Sequence, residues 1–139
     1  MPTIVNPDTL APPRGYSNGL LYGPGRVLFV AGQIGWDREG QLAGEGFAEQ
    51  FAQALRNVLD VVRAAGGRPE SIGRFTIYVT DKKAYLAAAK AIGATYRELM
   101  GRHYPAMALV QVADLLEEGA LVEIEATAVL EENAESDDA

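Results

Sequence analysis

Residues 47–62 place Phe47, Phe51, Leu55, Val58 and Val62 at intervals of four and three, with Glu49, Gln53, Arg56, Asp60 and Arg63 between them. That spacing predicts an amphipathic helix with a single apolar stripe. Gly66-Gly67 and then Pro69 supply its stop signal. A second stripe follows at Tyr85, Ala89, Ile92, Tyr96 and Leu99, with Asp81 at the N-cap position and an end near Gly101. Neither stripe can stay in water, so each needs an apolar surface to lie on.

The surface is supplied by runs rich in β-branched and aromatic residues. Residues 75–80 read as one strand, 107–113 as another, and 121–130 as a third. In the last, Val122, Ile124, Ala126, Ala128 and Leu130 share one face, while Glu123, Glu125 and Thr127 share the other with Leu121 and Val129. Upstream, Leu20-Leu21-Tyr22, the turn Gly23-Pro24-Gly25 and the run 27–31 read as a hairpin. Gly23-x-Gly25 is no phosphate loop, because a third glycine and a following helix are missing. The order ββ, helix, strand, helix, ββ predicts an α+β fold, a mixed β-sheet with two helices packed on one face.

Two helices leave the other face of such a sheet uncovered. Depending on register, that face shows Met107, Leu109, Phe75 or Thr76, and Val129. An open apolar sheet face is remedied most simply by self-association.

Composition narrows the function. A chain of 139 residues is one domain, expected over 1–130, followed at 131–139 by an acidic segment expected to be disordered. The net charge is −7, and without that segment the remainder carries only −2. This balance argues against a nucleic-acid partner. The chain has no cysteine, which excludes thiol nucleophiles, disulfides and cysteine-ligated metals, and a single histidine, His103. No basic-then-apolar leader opens the chain and no apolar run is long enough for a membrane span. The expected compartment is the cytoplasm, with no membrane partner.

Several residues invite chemistry. Glu125 lies mid-strand on the face away from the helices; it is either a solvent-facing strand glutamate or, in a desolvating cleft, a proton-transfer group. Histidine is the side-chain type best suited to proton exchange at neutral pH, which invites a role for His103, yet its place after a helix suits a C-terminal polar residue. Trp36 is a ligand platform or an edge cover, and Tyr16 a packing anchor or a reach toward a neighbouring subunit. Arg14, Arg26, Arg74 and Arg102 are each able to grip a carboxylate, and spacing places none of them.

The arrangement resembles the YjgF/RidA family of reactive-intermediate (enamine/imine) deaminases over residues 14–130. The carrying features are Gly15-Tyr16, Val30-Ala31-Gly32-Gln33-Ile34, Asn57-Val58-Leu59 with Ala64-Ala65-Gly66, the run 76–81 (Thr-Ile-Tyr-Val-Thr-Asp), Tyr104-Pro105-Ala106, and the closing run 122–129. The resemblance implies a chorismate-mutase-like fold assembled as a trimeric barrel, a homotrimer with small-molecule clefts between neighbours. It implies neither metal nor organic cofactor. It carries a catalytic role onto Glu125, which would activate the attacking water, and substrate-binding roles onto Tyr16, Ala31, Gly32, Met107, Ala108 and Leu109.

The chain departs from the family pattern after Pro105-Ala106. Met107 stands where an arginine would grip the substrate carboxylate, Leu109 where a cysteine is usual, and Ala31 where a serine precedes Gly32. Methionine offers neither charge nor donor. The expectation is a divergent enamine/imine deaminase-like hydrolase of a small metabolite, with a cleft more apolar than usual. The alternative is a non-catalytic small-molecule-binding trimer of the same fold. An endoribonuclease or translation inhibitor, an activity attributed to some relatives, fits the acidic charge poorly.

Overall fold

The computed structural model describes residues 1–132; the greater part of the acidic segment, 133–139, lies outside the described residues. Strand β3 (Gly25–Ile34) leads through loop 35–46 into helix α1 (Phe47–Ala64), which returns the chain to strand β4 (Ile72–Val79). Helices α2 (Lys82–Ala87) and α3 (Ala89–Met100) connect β4 to β5 (Ala106–Gln111), and β6 (Val122–Glu131) closes the described chain. Two short strands, β1 (Thr3–Val5) and β2 (Gly19–Leu21), form a separate antiparallel pair.

The main sheet has the order β3-β6-β4-β5. β6 is antiparallel to both β3 and β4, and β4 is parallel to β5. The last strand is therefore inserted between two strands that run parallel to each other. The helices pack against one face, as the two apolar stripes require. On that face lie Val30 of β3, Ile72, Phe75, Ile77 and Val79 of β4, and Val122, Ile124, Ala126 and Ala128 of β6. All are buried against Phe47, Phe51, Leu55, Val58, Leu59 and Val62 of α1 and Ile92 and Met100 of α3.

The helix stop forms as the two glycines predict. Gly66 adopts φ 92°, its N–H donates to the Arg63 carbonyl, and the Gly67 N–H donates to that of Val62. That is the paired 6→1 and 5→2 closure for which glycine at the left-handed position is best suited. Asp81 caps α2, its Oδ1 accepting from the Lys83 N–H at 2.9 Å. The second apolar stripe is split at Ala88 into two helical segments, and α3 ends at Met100 before Gly101, whose φ is 64°.

Three expectations are corrected. β2 does not form a hairpin with β3; it pairs with β1. Tyr22, just past it, turns away so that its hydroxyl reaches the carbonyls of Glu70 and Ile72, each at 2.8 Å. The acidic segment does not begin at residue 131. Glu131 is the last residue of β6, opposite Gly25, and accepts from the Gly23 N–H at 2.7 Å and the Met1 amine at 2.9 Å. The Glu132 N–H donates to the Pro24 carbonyl.

The third correction concerns the uncovered face. Phe75 belongs to the core, and Met107 and Leu109 pair alongside Phe75 and Ile77, half-buried against the core from the edge strand. Neighbours in register share a face, so Ala106, Ala108 and Val110 of β5 point the other way, with Arg74, Thr76 and Tyr78. Thr76 and Val129 stand on the open face, as one of the possible registers requires.

Candidate active site

The open face has two zones. At one end Val27 and Phe29 of β3, 55% and 80% exposed, stand with Val129. In the middle the face turns polar. Glu125 of β6 is level with Thr76 of β4, which is level with Ala108 of β5. One row further on, Glu123, Tyr78 and Val110 align; one row back, Phe29, Thr127, Arg74 and Ala106 align.

Glu125 is half-buried and its Oε1 accepts from the Tyr78 hydroxyl at 2.6 Å. A donor that short on a carboxylate is charge-assisted. The bond to Glu125 pushes the Tyr78 phenol above its ordinary value, with desolvation adding to the shift and Arg74 opposing it. Tyr78 therefore stays a donor at neutral pH. It occupies one carboxylate oxygen and leaves Oε2 for another partner.

Across from Glu125, β3 is irregular. The pairing with β6 shifts between Val30 and Gln33, so Ala31 and Gly32 fall at a bulge. The Ala31 carbonyl accepts from the Gln33 side chain at 3.0 Å. A Cβ at Gly32 would overlap the Glu123 carboxylate, so only glycine lets that side chain lie over the bulge. The bulge is thus a place where main-chain groups leave the ladder beside Glu125.

The other expected residues are dispersed around this centre. Tyr16, 39% exposed, is held near the start of β5 because Ser17 donates from its N–H to the Pro105 carbonyl and from its hydroxyl to the Tyr104 carbonyl at 2.6 Å. Ala108 shares the open face with Glu125. Met107 and Leu109 lie on the opposite side of the same edge strand, so they do not line this face within one protomer. Trp36 sits in the loop after β3, in a bridge to Leu42, and its carbonyl accepts from Asn57 at 2.9 Å. His103 is a structural tie: its Nε2 lies 2.6 Å from the Ile72 carbonyl, and its own carbonyl accepts from Tyr96. A concavity lined by Tyr22, Arg68, Glu70 and Glu131 shares only Val129 with the open face.

Tyr78 is the functional candidate that sequence reasoning passed over. Strand alternation sets Tyr78 on the face opposite Phe75, but its partner lies 47 residues away and follows only from the β4–β6 register.

The sequence profile of the family described as Endoribonuclease L-PSP matches residues 6–130, nearly all of the described chain. The chain belongs to this family, the YjgF/RidA family. Among curated members, a human 2-iminobutanoate/2-iminopropanoate deaminase is 32% identical over 128 residues, covering 91% of this chain and 86% of that protein. A RutC family protein of Aquifex aeolicus is 36% identical over 93% of this chain and 99% of its own length. Among solved structures, a Rid family protein of unknown function from Yersinia pestis superposes with TM-score 0.83 at 33% identity, covering 93% of this chain and 98% of that one. TdcF of E. coli, solved with bound serine, gives TM-score 0.64 at 31% identity over 86% of this chain and 89% of its own. Family membership confirms the α+β architecture with helices on one face of a mixed sheet.

Proposed function

We propose that this YjgF/RidA protein is an imine/enamine deaminase that hydrolyses small imines with Glu125 as the acid/base. The observation that carries the reading is the Tyr78–Glu125 pair: a half-buried carboxylate with one oxygen held and one free, on an open sheet face. Relatives at comparable identity named as 2-iminobutanoate/2-iminopropanoate deaminases support the chemistry.

The steps balance as an ordinary hydrolysis. Oε2 of Glu125 takes a proton from water as the water oxygen bonds to the imine carbon; the C=N electron pair moves to nitrogen, which receives that proton from Glu125. In the resulting carbinolamine Glu125 takes the hydroxyl proton as the carbonyl forms and the C–N bond breaks. It passes that proton to the departing nitrogen, which leaves as ammonia, and the carboxylate is restored. Main-chain groups at the Ala31–Gly32 bulge and on the free edge of β5 near Leu109 supply the polar contacts for the substrate. No step calls for a metal or an organic cofactor.

The cleft is closed in this reading by self-association. The open face, with Phe29 and Val27 at its apolar end, packs against neighbouring copies in a homotrimer, and Tyr16, Met107 and Leu109 border the junction from the β5 edge. A nucleic-acid strand suits the same face poorly, because two carboxylates outnumber its single arginine.

The test is hydrolysis of 2-iminopropanoate generated in situ. Wild-type protein accelerates it, and Glu125→Gln lowers the rate by about 100- to 10,000-fold, the usual weight of a positioned acid/base. Equal rates for both proteins would remove Glu125 from the mechanism. No acceleration by the wild type would leave the non-catalytic binding trimer as the better reading.

A further inference from the structure

Away from the open sheet face, a cavity of about 240 Å³ lies between the β1–β2 pair and the link from α3 to β5. It shares no lining residue with the open face. Ile4 of β1 and Leu20 of β2 border it, and because the two are register partners they stand on one face of their pair. His103 and Tyr104 of the α3–β5 link border it too. Glu70 and Arg102 bring one charge of each sign to the same lining.

The wall formed by the link is fixed. The His103 Nε2 lies 2.6 Å from the Ile72 carbonyl. A carbonyl only accepts, so Nε2 carries the proton and Nδ1 is left as the free polar atom of the ring. Tyr104 stacks on Tyr96, with ring centroids 5.4 Å apart and planes 11° from parallel. The Tyr104 carbonyl accepts from the buried Ser17 hydroxyl at 2.6 Å, and the His103 carbonyl from the Tyr96 hydroxyl at 2.6 Å. On the Glu70 side, the main chain is held by the Tyr22 hydroxyl at 2.8 Å. A wall set in advance leaves little of the protein to be ordered by a ligand.

The two charges are not spent on each other. Among the described residues the one ion pair joins the Met1 amine to Glu131, at 2.9 Å. Met1 also borders the cavity, and its charge is taken by that pair. Glu70 and Arg102 have no such partner there. A lone anion or a lone cation in this space meets one charge that attracts and one that repels. A zwitterion meets both favourably. The volume lies below the roughly 300–1,000 Å³ that takes a drug-sized ligand. The Ile4–Leu20 face suits a short aliphatic group.

We propose that this cavity is a second ligand site, separate from the Glu125 face, for a small zwitterionic α-amino acid with a short aliphatic side chain. Arg102 receives the carboxylate, Glu70 the ammonium, and Ile4 and Leu20 cover the side chain. The inference does not depend on the acid/base reading of Glu125. Because the β1–β2 pair shares no ladder with the main sheet, a ligand held from both sides also ties that pair to the body.

The experiment titrates the intact protein by calorimetry with three probes: L-leucine, 4-methylpentanoate, which lacks the ammonium, and 3-methylbutylamine, which lacks the carboxylate. Wild type, Glu70→Gln and Arg102→Gln are compared, with melting curves on each. L-leucine should bind the wild type in the millimolar range or tighter, the reach of a ligand with so few non-hydrogen atoms, and more tightly than either half-ligand. Each substitution should weaken L-leucine by roughly 5- to 50-fold, the weight of one charged hydrogen bond at a partly exposed site. The half-ligands assign the partners. Glu70→Gln should leave 4-methylpentanoate unchanged or tighter, since the repelling carboxylate is gone, and Arg102→Gln should do the same for 3-methylbutylamine. Glu125→Gln should bind L-leucine as the wild type does. Loss of L-leucine binding in Glu125→Gln would put the ligand on the open face and overturns the proposal. So does a wild type that binds no L-leucine, or binds it no better than the half-ligands, and so does equal L-leucine binding by folded Glu70→Gln and Arg102→Gln proteins and the wild type.

Discussion

The two faces of one sheet in this protein are built from alternate residues of the same strands, yet they obey different rules. On the covered face, Val122, Ile124, Ala126 and Ala128 of β6 are all at most 5% exposed and entirely apolar. On the open face, the residues between them are Glu123, Glu125 and Thr127, each half-buried, with a buried-type neighbour one position away on either side. The same contrast runs along β4, where Phe75, Ile77 and Val79 are packed and Arg74, Thr76 and Tyr78 are not. On this open face the Tyr78 hydroxyl fixes the Glu125 carboxylate from the next strand at 2.6 Å. In the proposed reading the difference separates what holds the fold from what acts on a ligand, and it does so at single-residue spacing.

The largest effect on the open face should come from its apolar end. Phe29 is 80% exposed in the protomer, far more than an aromatic of that size on a strand of a stable monomer needs to be. Burying such a ring removes about 150 Å² or more from water. Phe29→Asp should therefore convert a species of about three chain masses into monomers at micromolar concentration, read by light scattering. A wild-type protein already monomeric there would show that the apolar end has another use.

A smaller effect is expected at Tyr78. Tyr78→Phe keeps the ring and removes the donor to Glu125. Turnover should fall by about tenfold, matching the loss of one charge-assisted hydrogen bond. Unchanged turnover in a folded Tyr78→Phe protein would mean that the phenol only packs.

The smallest effect belongs to the tyrosines that serve the fold. Burial pushes the Tyr22 and Tyr96 phenols well above their ordinary value of 10.0. Neighbouring charges, Glu131 and Glu70, add to the shift at Tyr22. The unfolded chain thus ionises first as pH rises. Their contribution to stability is whole below pH ~10 and is lost progressively above it. The melting temperature should fall by roughly 3–6 °C between pH 10 and pH 12, and Tyr96→Phe should flatten part of that slope.

The sequence showed the covered face better than the open one, for a physical reason. Core packing writes itself into local periodicity: the stripe of α1, the Gly66-Gly67 stop, the Asp81 cap and the alternation of β6 are each visible within a dozen residues. The open face depends on which strand lies beside which. Tyr78 and Glu125 were both placed on their strands, but their contact follows from the antiparallel β4–β6 register. Met107 and Leu109 were assigned to the uncovered face because nothing local tells which side of an edge strand meets the helices; only pairing with Phe75 and Ile77 does. The same holds for β2, whose apolar run matched a hairpin with β3 and instead found the chain start, at Thr3–Val5. Arg74 was one of four arginines with no spacing to set it apart, and register alone puts it on the open face.

Adjacent residues of β6 give the most direct test of the contrast between the faces. Ile124 is 1% exposed and points to the helices; Glu125 points the other way and receives the Tyr78 hydroxyl. The measurement is melting temperature and 2-iminopropanoate turnover for Ile124→Ala and Glu125→Gln, side by side, with turnover read well below both melting points. The account predicts a double dissociation. Ile124→Ala loses about 2–5 kcal/mol of stability and melts roughly 10 °C or more below the wild type, with turnover per folded molecule retained within a few-fold. Glu125→Gln melts within a few degrees of the wild type and loses at least about 100-fold in turnover. Turnover that survives Glu125→Gln, or a Glu125→Gln protein that melts as early as Ile124→Ala, would contradict it.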